Sequence, residues 1–372
     1  MAAEKGTKMS RYRFVIIGAG WRAQYYVRIA KALPDLFELC AMYCRNEEKA
    51  RRISSEFGVN AVSSEDECAA MKPDFVVTAV SKTSGPEVAV RWLEKGFTVL
   101  CETPAGLDME TLNDLWMRYK NGQKIVVAEQ YFLYPYYSTL LKLTRKGLIG
   151  DVHSLNISLA HEYHGASLIR AFLGITPDTE FTVSAKTYEF SVTETRNRYE
   201  VFTDERIALK KRTVAAFEFT GGKTAFYDFD SEQYHSTIRK NFYKIRGTRG
   251  EISEDGAVYL NAENAAVNAG LRMETRRIER KSDNPNLQSE DEVTGIFFEG
   301  KQLYAPPFGL YGLSQDETAI AQLMKGTAEY AAGISGSPYP LEEALQDAYM
   351  AILMKSSDVN GISVKSERQM WM

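Results

Sequence analysis

The sequence predicts a doubly wound parallel α/β sheet followed by an α+β domain with a large, open, mostly antiparallel sheet. The chain has 372 residues, enough for two domains that each bury a core. From Arg13 to Tyr131, short apolar runs alternate with amphipathic stretches, which is the rhythm of β-α-β units. After about Asp151 the chain changes to long β-rich stretches, which favours antiparallel pairing.

The first predicted domain spans residues 10–131. Its helices have clear stop signals, because Pro34 follows the first and Gly58, Gly96 and Gly122 close later ones. The expected strands are Phe14–Ile17, Phe37–Tyr43, Phe75–Val80, Thr98–Cys101 and Lys124–Ala128, within a sheet of about six.

The second predicted domain spans residues 132–372 and serves substrate binding and oligomerisation. Phe217 and Phe219 alternate with polar residues, so one sheet face should be buried and the other open. The polar stretch from Ala262 to Ser289 is expected as an exposed excursion. The β-rich stretches are Val152–His161, Phe181–Val192, Val214–Phe229 and Phe242–Ile252. Two helices are predicted at the end of the chain, Gln315–Ala332 and Leu341–Val359, and they are candidates to pack back on the first domain.

The composition argues against several functional classes. Lysine and arginine number 45 against 49 acidic residues, and no stretch concentrates basic residues as nucleic-acid binding requires. The longest apolar runs are far shorter than the roughly 20 residues that cross a bilayer. The polar Met1–Ser10 segment has no signal-peptide core, and Met9 is an alternative native start behind an added leader. We therefore expect a cytoplasmic protein with no nucleic-acid or membrane partner.

The four cysteines, Cys40, Cys44, Cys68 and Cys101, lie in the first third of the chain without CxxC spacing. Three of them fall in or beside predicted buried strands, where a reduced cysteine packs as a small apolar residue. We assign them no function. No set of histidines, cysteines and carboxylates has the spacing of a recognisable metal site, so no metal is expected.

The segment FVIIGAGWRA from Phe14 to Ala23 is an apolar strand that enters a GxGxxA turn before a predicted helix. Gly18 and Gly20 permit a tight turn and close approach of a pyrophosphate, whose charge the N–H groups and the helix dipole stabilise. In this context the motif predicts a Rossmann dinucleotide-binding domain. Trp21, Arg22 and Ala23 are expected to line the same site.

The end of the second predicted strand bears on the choice between NAD and NADP. NAD-binding domains usually place an acidic residue there for the ribose hydroxyls, but this strand ends Met42-Tyr-Cys-Arg45-Asn46. Arg45 has the charge to pair with a 2′-phosphate, which gives NAD(P) with a modest preference for NADP. The alternative, a solvated loop cation, stays open.

The glycine turn and two other segments resemble the glucose-fructose oxidoreductase, inositol dehydrogenase and rhizopine-catabolism (Gfo/Idh/MocA) family. These segments are WLEKGFTVLCETPA from Trp92 and GLIGDV from Gly147. Gly247-Thr-Arg-Gly250 looks like the family's glycine turn in the C-terminal sheet, so the resemblance covers nearly the whole chain. It implies an NAD(P)-dependent enzyme that moves hydride to or from a secondary alcohol of a sugar, cyclitol or related compound.

One functional triplet departs from the family. The family's Glu-Lys-Pro supplies a lysine near the nicotinamide that hydrogen-bonds the reacting hydroxyl, whereas this chain has Glu102-Thr103-Pro104. Threonine carries no positive charge for a developing alkoxide, so another group must stabilise or accept the proton. By position, Thr103 remains a candidate catalytic residue and Glu102 a candidate cofactor contact.

A second family signature is a histidine followed three residues later by an acid, at the active-site end of a helix. The segment from His161 to Gly174 looks similar, with His164 at the histidine position and Ser167 in place of the acid. An imidazole titrates near neutral pH, which suits His164 as the general base that takes the hydroxyl proton. A structural histidine capping a helix that begins near Gly165 is the alternative.

Further candidates come from phenols and from strand ends. Phenols recur in sugar-oxidoreductase sites, although each is alternatively a packed side chain. The proton-relay candidates are Tyr131, His161, Tyr163, Tyr234 and His235. Ser81-Lys82 and Gly85 stand where the family has Pro-Asn and a later histidine, and Lys82 either replaces the missing charge near the cofactor or is a surface lysine. Gln130 follows the sixth strand, where family members touch the nicotinamide.

Three functions stay open from the sequence. The first is an NAD(P)-dependent oxidoreductase acting on a sugar, glycoside or cyclitol. The second is a redox-neutral NAD-dependent glycoside-cleaving enzyme, since that branch also has an uncharged residue in the triplet. The third is a non-catalytic, cofactor-dependent sensor, against which His164 argues. The resemblance also implies a homodimer or homotetramer formed through the open face of the C-terminal sheet.

Overall fold

The computed structural model describes residues 11–280 and 288–372. The expectation for Met1–Ser10, a polar start without a signal sequence, concerns residues outside this description. The chain divides into two compact units. The first comprises Met1–Ala105, Met117–Ala128 and Ile320–Leu341, and the second comprises Gly106–Trp116, Glu129–Ala319 and Glu342–Met372.

The first unit is built on a six-stranded parallel sheet of order β3-β2-β1-β4-β5-β6. The strands are β1 (Tyr12–Ile17), β2 (Phe37–Tyr43), β3 (Ala61–Val62), β4 (Phe75–Thr78), β5 (Val99–Cys101) and β6 (Ile125–Val127). The helices between them are α1 (Ala23–Ala32), α2 (Glu47–Phe57), α3 (Glu65–Ala70) and α4 (Gly85–Glu94). Phe14, Val15 and Val76 are fully buried, so these strands read as continuous apolar runs.

The strand order puts a topological switch point between β1 and β4, which are direct neighbours in the sheet. In such sheets a ligand binds outside the carboxyl ends of the strands at the switch point. Hydrogen bonds join these ends, because Gly18 N donates to Tyr43 O at 3.1 Å and Ala79 N donates to Ile17 O at 2.9 Å. The residues that follow β1, β2 and β4 therefore meet at one edge of the sheet.

The second unit contains a nine-stranded sheet of order β14-β13-β12-β11-β7-β10-β9-β8-β18 and a three-stranded sheet of order β15-β16-β17. In the large sheet β7 and β10 pair in parallel and the other pairs are antiparallel. The strands are β7 (Val152–Ser158), β8 (Phe181–Thr193), β9 (Ile207–Phe219), β10 (Thr224–Asp230), β11 (Phe242–Gly247), β12 (Gly250–Ser253), β13 (Gly256–Leu260), β14 (Ala266–Ala269), β15 (Leu271–Glu279), β16 (Ser289–Phe298), β17 (Lys301–Tyr304) and β18 (Val364–Lys365). The predicted fold class is confirmed.

The remaining helices along the chain are α5 (Met109–Lys120), α6 (Pro135–Arg145), α7 (Glu162–Leu173), α8 (Gln315–Ala331) and α9 (Leu341–Asn360), with short 3₁₀ helices at Tyr131–Leu133 and Ser231–Tyr234. The last turn of α8 lies in the first unit. There the Lys124 ammonium donates to the carbonyl oxygens of Tyr330 and Ala331, at 2.9 and 3.1 Å. A cation at a helix C-terminus satisfies otherwise unpaired carbonyls and is favoured by the helix dipole.

The nine-stranded sheet has one covered face and one open face. Phe217, Phe219 and Tyr227 are buried on one face, whereas Phe190 and Phe226 are exposed on the other. This is the alternation that the sequence predicts. On the covered face, a Cβ at Gly165 of α7 would lie 2.6 Å from the ring of Tyr227, so only glycine lets the helix approach this closely.

Some element boundaries differ from the prediction. The predicted stretch Val214–Phe229 is two strands, since Gly221 and Gly222 both take positive φ and turn the chain into a hairpin. Phe242–Ile252 is likewise the pair β11 and β12. The described part of the stretch from Ala262 to Ser289, residues 262–280 and 288–289, is largely exposed, as expected, but it contains strands β14 and β15. No helix in residues 11–280 and 288–372 combines the length and apolar character needed to span a membrane.

Candidate active site and dinucleotide loop

The turn after β1 accepts only glycine at position 18. Gly18 has φ of 121°, and a Cβ there would lie 2.2 Å from the carbonyl oxygen of Ala79. At Gly20, by contrast, no atom of the described residues lies within 4 Å of the Cβ position. Helix α1 begins at Ala23, and its N-cap residue Arg22 makes no side-chain capping hydrogen bond within the described chain. The open glycine and the uncapped helix start together fit a dinucleotide pyrophosphate.

Glu102 is held by two side chains that follow this turn. Arg22 Nε donates to Glu102 Oε1 at 2.9 Å, and the Tyr26 hydroxyl donates to the same oxygen at 2.5 Å. The Arg22 and Glu102 side chains are only 19% and 13% exposed, so the carboxylate neutralises the guanidinium charge in a position largely shielded from bulk water. Two predicted cofactor contacts are thus in contact with each other. Thr103 follows, joined to Pro104 by a cis peptide bond.

The other predicted cofactor contacts of the first unit lie in exposed turns at strand ends. Arg45 follows β2 and is exposed. Ser81 and Lys82 are exposed in the turn between β4 and α4, where the Ser81 hydroxyl hydrogen-bonds those of Thr83 and Ser84 at 3.1 Å each. These turns follow β2 and β4, the two strands that flank β1, at the edge where such sheets bind ligands.

In the second unit, His164 is held by a buried carboxylate. Its Nδ1 lies 2.5 Å from Oε2 of Glu129, and the two side chains are 7% and 2% exposed. The other oxygen of Glu129, Oε1, accepts the backbone N–H of Tyr131 at 3.1 Å. Helix α7 begins at Glu162 with His161 as its N-cap residue, one turn earlier than predicted. His164 therefore lies in the first turn and does not cap the helix.

A second set of hydrogen bonds surrounds His161. Its Nδ1 lies 2.5 Å from the Tyr234 hydroxyl, and its Nε2 lies 2.9 Å from the Tyr163 hydroxyl. Tyr234 also lies close enough to Tyr131 for each to influence the pKa of the other. The rings of Tyr131 and His161 lie 4.5 and 4.9 Å from the ring of His164. We call the set Glu129, Tyr131, His161, Tyr163, His164 and Tyr234 the dihistidine cluster.

Desolvation keeps the phenols of Tyr131 and Tyr234 protonated. It raises the pKa of Tyr234 to about 12 and the pKa of Tyr131 well above its ordinary value of 10. A neutral phenol donates a hydrogen bond to an oxygen or passes a proton without adding negative charge. His235 stands apart, with a ring centroid 6.3 Å from that of Tyr234 and a pKa lowered by burial and by the charge of Arg198.

The backbone is strained where the two histidines are joined. Glu162 has φ of 38°, in the left-handed region that side-chain-bearing residues rarely adopt. The Tyr227 hydroxyl accepts the Glu162 backbone N–H at 2.9 Å and so holds this turn. Strain of about 1 to 3 kcal/mol at one residue persists only where surrounding contacts impose it, and such residues concentrate at functional sites.

Two buried polar atoms near the cluster have no hydrogen-bond partner among the described residues: Ser167 Oγ and Gln130 Oε1. Ser167 follows His164 by three residues on α7, so both side chains share a helix face. Gln130 donates through Nε2 to Asp316 Oδ1 at 3.0 Å. A buried polar atom left without a partner costs free energy, so each of these atoms is suited to a ligand.

The described residues contain no group of three or more metal-binding side chains. All four cysteines are free thiols. Burial raises the pKa of Cys68 to about 12 and that of Cys101 to about 11, which keeps both protonated. These thiols behave as packed apolar groups.

Sequence reasoning brought most of the dihistidine cluster into view but missed Glu129. Tyr131, His161, Tyr163, His164 and Tyr234 were all candidates, and the structure brings them together. Glu129 was not among the candidates. The signal available was a carboxylate directly after a buried strand of a doubly wound sheet, where ligand-binding side chains gather.

Comparison with known proteins shows what the N-terminal part of the chain resembles. Residues 12–130 match the family model described as the GFO_IDH_MocA oxidoreductase family, NAD-binding Rossmann fold. Over these residues the chain is similar to the NAD-binding domain of Gfo/Idh/MocA oxidoreductases, which confirms the predicted resemblance.

Similarity to known oxidoreductases and dehydrogenases continues beyond that domain. An uncharacterized oxidoreductase of Rhizobium meliloti, ORF334, is 26% identical over 309 residues, which cover 76% of this chain and 88% of the relative. An Agrobacterium radiobacter oxidoreductase solved with NAD⁺, L-tartaric acid and magnesium has a TM-score of 0.67 at 11% identity, covering 95% of this chain and 98% of that one. A myo-inositol dehydrogenase of Corynebacterium glutamicum has a TM-score of 0.63 at 18% identity, covering 97% of this chain and all of that one. At these identities the two structures establish a shared fold.

Proposed function

We propose that this protein is an NAD(P)-dependent oxidoreductase that acts on a secondary hydroxyl group of a sugar, glycoside or cyclitol. The observation that carries the proposal is His164, buried against Glu129 in a chain whose first unit is an NAD-binding domain. Myo-inositol and L-tartaric acid, named for two structural relatives, both carry secondary hydroxyl groups, which supports this substrate class.

The dinucleotide is assigned to residues 10–131 and the substrate to residues 132–372. Gly18, Gly20 and the start of α1 hold the pyrophosphate, with Trp21, Arg22 and Ala23 beside it and Glu102 fixing Arg22. Gln130 offers its buried Oε1 to the cofactor, and Ser81 and Lys82 contact it at the end of β4. A bound nicotinamide supplies the hydride acceptor or donor.

His164 carries the proton. In the oxidation direction the substrate O–H bond breaks and the proton passes to His164 Nε2, because Nδ1 is engaged with Glu129. In the reduction direction the same nitrogen returns the proton to the carbonyl oxygen. Proton transfer of this kind contributes about 10²- to 10⁴-fold to the rate.

Tyr131 takes over the hydrogen bond that the family's lysine makes. Thr103 supplies no charge, whereas the buried phenol of Tyr131 stays protonated and stacks beside His164. Tyr234 and His161, which hydrogen-bond each other, form the proton relay next to Tyr131. Ser167 binds a further hydroxyl of the substrate through its buried Oγ.

Arg45 gives the site a preference for NADP. It is exposed at the end of β2, where the 2′ position of the adenosine ribose lies in this type of domain. An arginine binds a phosphate through charge-assisted, often bidentate hydrogen bonds. Titration calorimetry should show that Arg45→Ala weakens NADP binding by about 10-fold or more and leaves NAD binding nearly unchanged. Equal losses for both cofactors would remove this assignment.

The open face of the nine-stranded sheet is the proposed oligomer surface. It exposes the large apolar side chains Tyr188, Phe190 and Phe226, which are 48%, 47% and 51% exposed. An apolar patch of this kind favours association into a homodimer or homotetramer. Sedimentation of the wild type and of Phe226→Glu tests this, and a monomeric wild type would contradict it.

A panel of sugars, glycosides and cyclitols tests the activity through the absorbance of the reduced cofactor. Net formation of reduced cofactor supports the proposal. Release of an aglycone without net cofactor change would instead support redox-neutral glycoside cleavage, and binding with neither outcome would support a sensor. His164→Ala should lower turnover by about 100-fold or more while cofactor affinity stays nearly unchanged. Unchanged turnover would refute its role.

A further inference from the structure

Glu129 is a buried carboxylate that the motifs of the sequence do not explain. Only 2% of its side chain is exposed, and its two oxygens bind His164 Nδ1 and the backbone N–H of Tyr131. Burying a carboxylate is costly unless it is paired and hydrogen-bonded. The contacts of Glu129 therefore indicate a specific task.

We infer that Glu129 is the positioning residue of His164, whose carboxylate holds the imidazole with a proton on Nδ1 and so makes Nε2 the atom that exchanges the substrate proton. This inference rests on the proposed function of His164. A carboxylate in this position fixes the tautomer and the ring orientation of a histidine and stabilises the imidazolium that forms. Glu129 touches neither substrate nor cofactor in this account.

The step balances in protons and electrons. In oxidation the substrate O–H bond breaks and an Nε2–H bond forms, while the carbon gives its hydride to the oxidised nicotinamide. His164 then carries a proton on each ring nitrogen, and Glu129 keeps its negative charge beside Nδ1. The products are a ketone, the reduced nicotinamide and an imidazolium.

Among the groups packed around His164, Glu129 is the carboxylate that contacts Nδ1, and Asp316 of α8 is a second negative charge near Tyr131. Tyr131 comes from the 3₁₀ helix after β6, and His161 and Tyr163 come from α7 itself, with Tyr234 behind His161. Burial raises the pKa of Tyr131, so its phenol is neutral at ordinary pH. Glu162 is exposed on α7 and directs its backbone N–H to Tyr227.

Glu129→Gln tests the inference because it keeps the shape and removes the charge. A nearby negative charge favours the protonated imidazole, so its loss lowers the pKa of the base. We expect the acid limb of the pH–kcat profile for oxidation to move to lower pH by about one unit and kcat to fall by about 10-fold or more, with cofactor Kd unchanged. The matched control is Glu292→Gln, another carboxylate of the second unit that is only 3% exposed and pairs with Arg276, which should leave profile and kcat unchanged. A wild-type profile in Glu129→Gln, or a fall in kcat without movement of the acid limb, would overturn the inference.

A second measurement needs neither substrate nor variant activity. The chain has only 4 histidines, so ¹⁵N NMR of the imidazoles is tractable, and the His164→Ala spectrum identifies the signal. We expect neutral His164 in the wild type to carry its proton on Nδ1. A proton on Nε2 would overturn the inference even if Glu129→Gln fails to fold. If the wild type turns over no substrate but the Nδ1 proton is found, the proposed function fails and the positioning by Glu129 stands.

Discussion

Gly18 and Gly20 lie in one turn, but the structure assigns them different reasons for being glycine. Gly18→Ala brings a methyl group to 2.2 Å from Ala79 O, whereas real Cβ atoms essentially never approach closer than 3.0 Å, and Gly18 also has φ of 121°. The turn or β4 must move, and strain plus overpacking together cost about 2 to 5 kcal/mol of unfolding free energy. Gly20→Ala meets nothing within 4 Å in the described chain, so the free protein should lose less than about 1 kcal/mol.

Binding should reverse this order of sensitivity. If the turn cradles a pyrophosphate, the new methyl group in Gly20→Ala occupies space that the ligand needs, and NAD and NADP affinity should fall by about 10-fold or more. Denaturant unfolding of the ligand-free protein gives the first quantity, and titration calorimetry gives the second. Full dinucleotide affinity in Gly20→Ala, or wild-type stability in Gly18→Ala, would refute the account of this loop.

Three further predictions follow from individual contacts. Tyr234→Phe removes the hydrogen bond to His161 Nδ1 but keeps the ring. Turnover should fall by about 10-fold, and the free energy of unfolding should change by less than about 1.5 kcal/mol. An unchanged turnover rate would exclude Tyr234 as a proton relay. Asp347→Asn removes one of the two carboxylates that pair with the buried guanidinium of Arg170, the other being Glu343, and should cost about 2 kcal/mol in denaturant unfolding. Asp228→Asn breaks a more exposed pair and should cost less than about 1 kcal/mol, and equal costs would contradict the burial argument. Burial raises the pKa of Cys68 to about 12 and that of Cys101 to about 11, so both thiols should resist a thiol reagent at pH 8 until the protein unfolds, and rapid labelling of the native protein detected by mass spectrometry would contradict this expectation. Because the fold favours the protonated thiols, their contribution to the free energy of unfolding is present below the ordinary thiol pKa and is lost as pH rises toward the raised pKa values.

The strands of the parallel sheet could be predicted from the sequence because they are buried on both faces and so form continuous apolar runs. Phe37–Tyr43 has the predicted bounds, and the other predicted strands of the first unit differ by only a few residues at their ends. The two-residue strand β3 was not predicted, since Ala61–Val62 is too short to form an apolar run. The turns inside the long β-rich stretches could not be predicted, because Gly221 and Gly222 reverse the chain without a break in the apolar pattern on either side.

Part of the candidate site could be predicted from the sequence because some of its residues lie in local motifs. Local motifs name residues that are near each other in sequence, such as Gly18 with Gly20 and His161 with His164. The contact between Glu129 and His164 joins residues 35 apart, and no spacing rule connects a strand end to a helix start at that distance. The start of α7 was misjudged because Glu162 enters the helix with positive φ, which no side-chain pattern signals.

The division of the chain has a consequence for biosynthesis. The first unit takes its pieces from three separate stretches, and the chain passes between units five times from start to end. Its last piece, Ile320–Leu341, is synthesised after the long middle piece of the second unit, and it brings the carbonyl oxygens that accept hydrogen bonds from Lys124. Translation therefore cannot complete the first unit before Leu341 has been made.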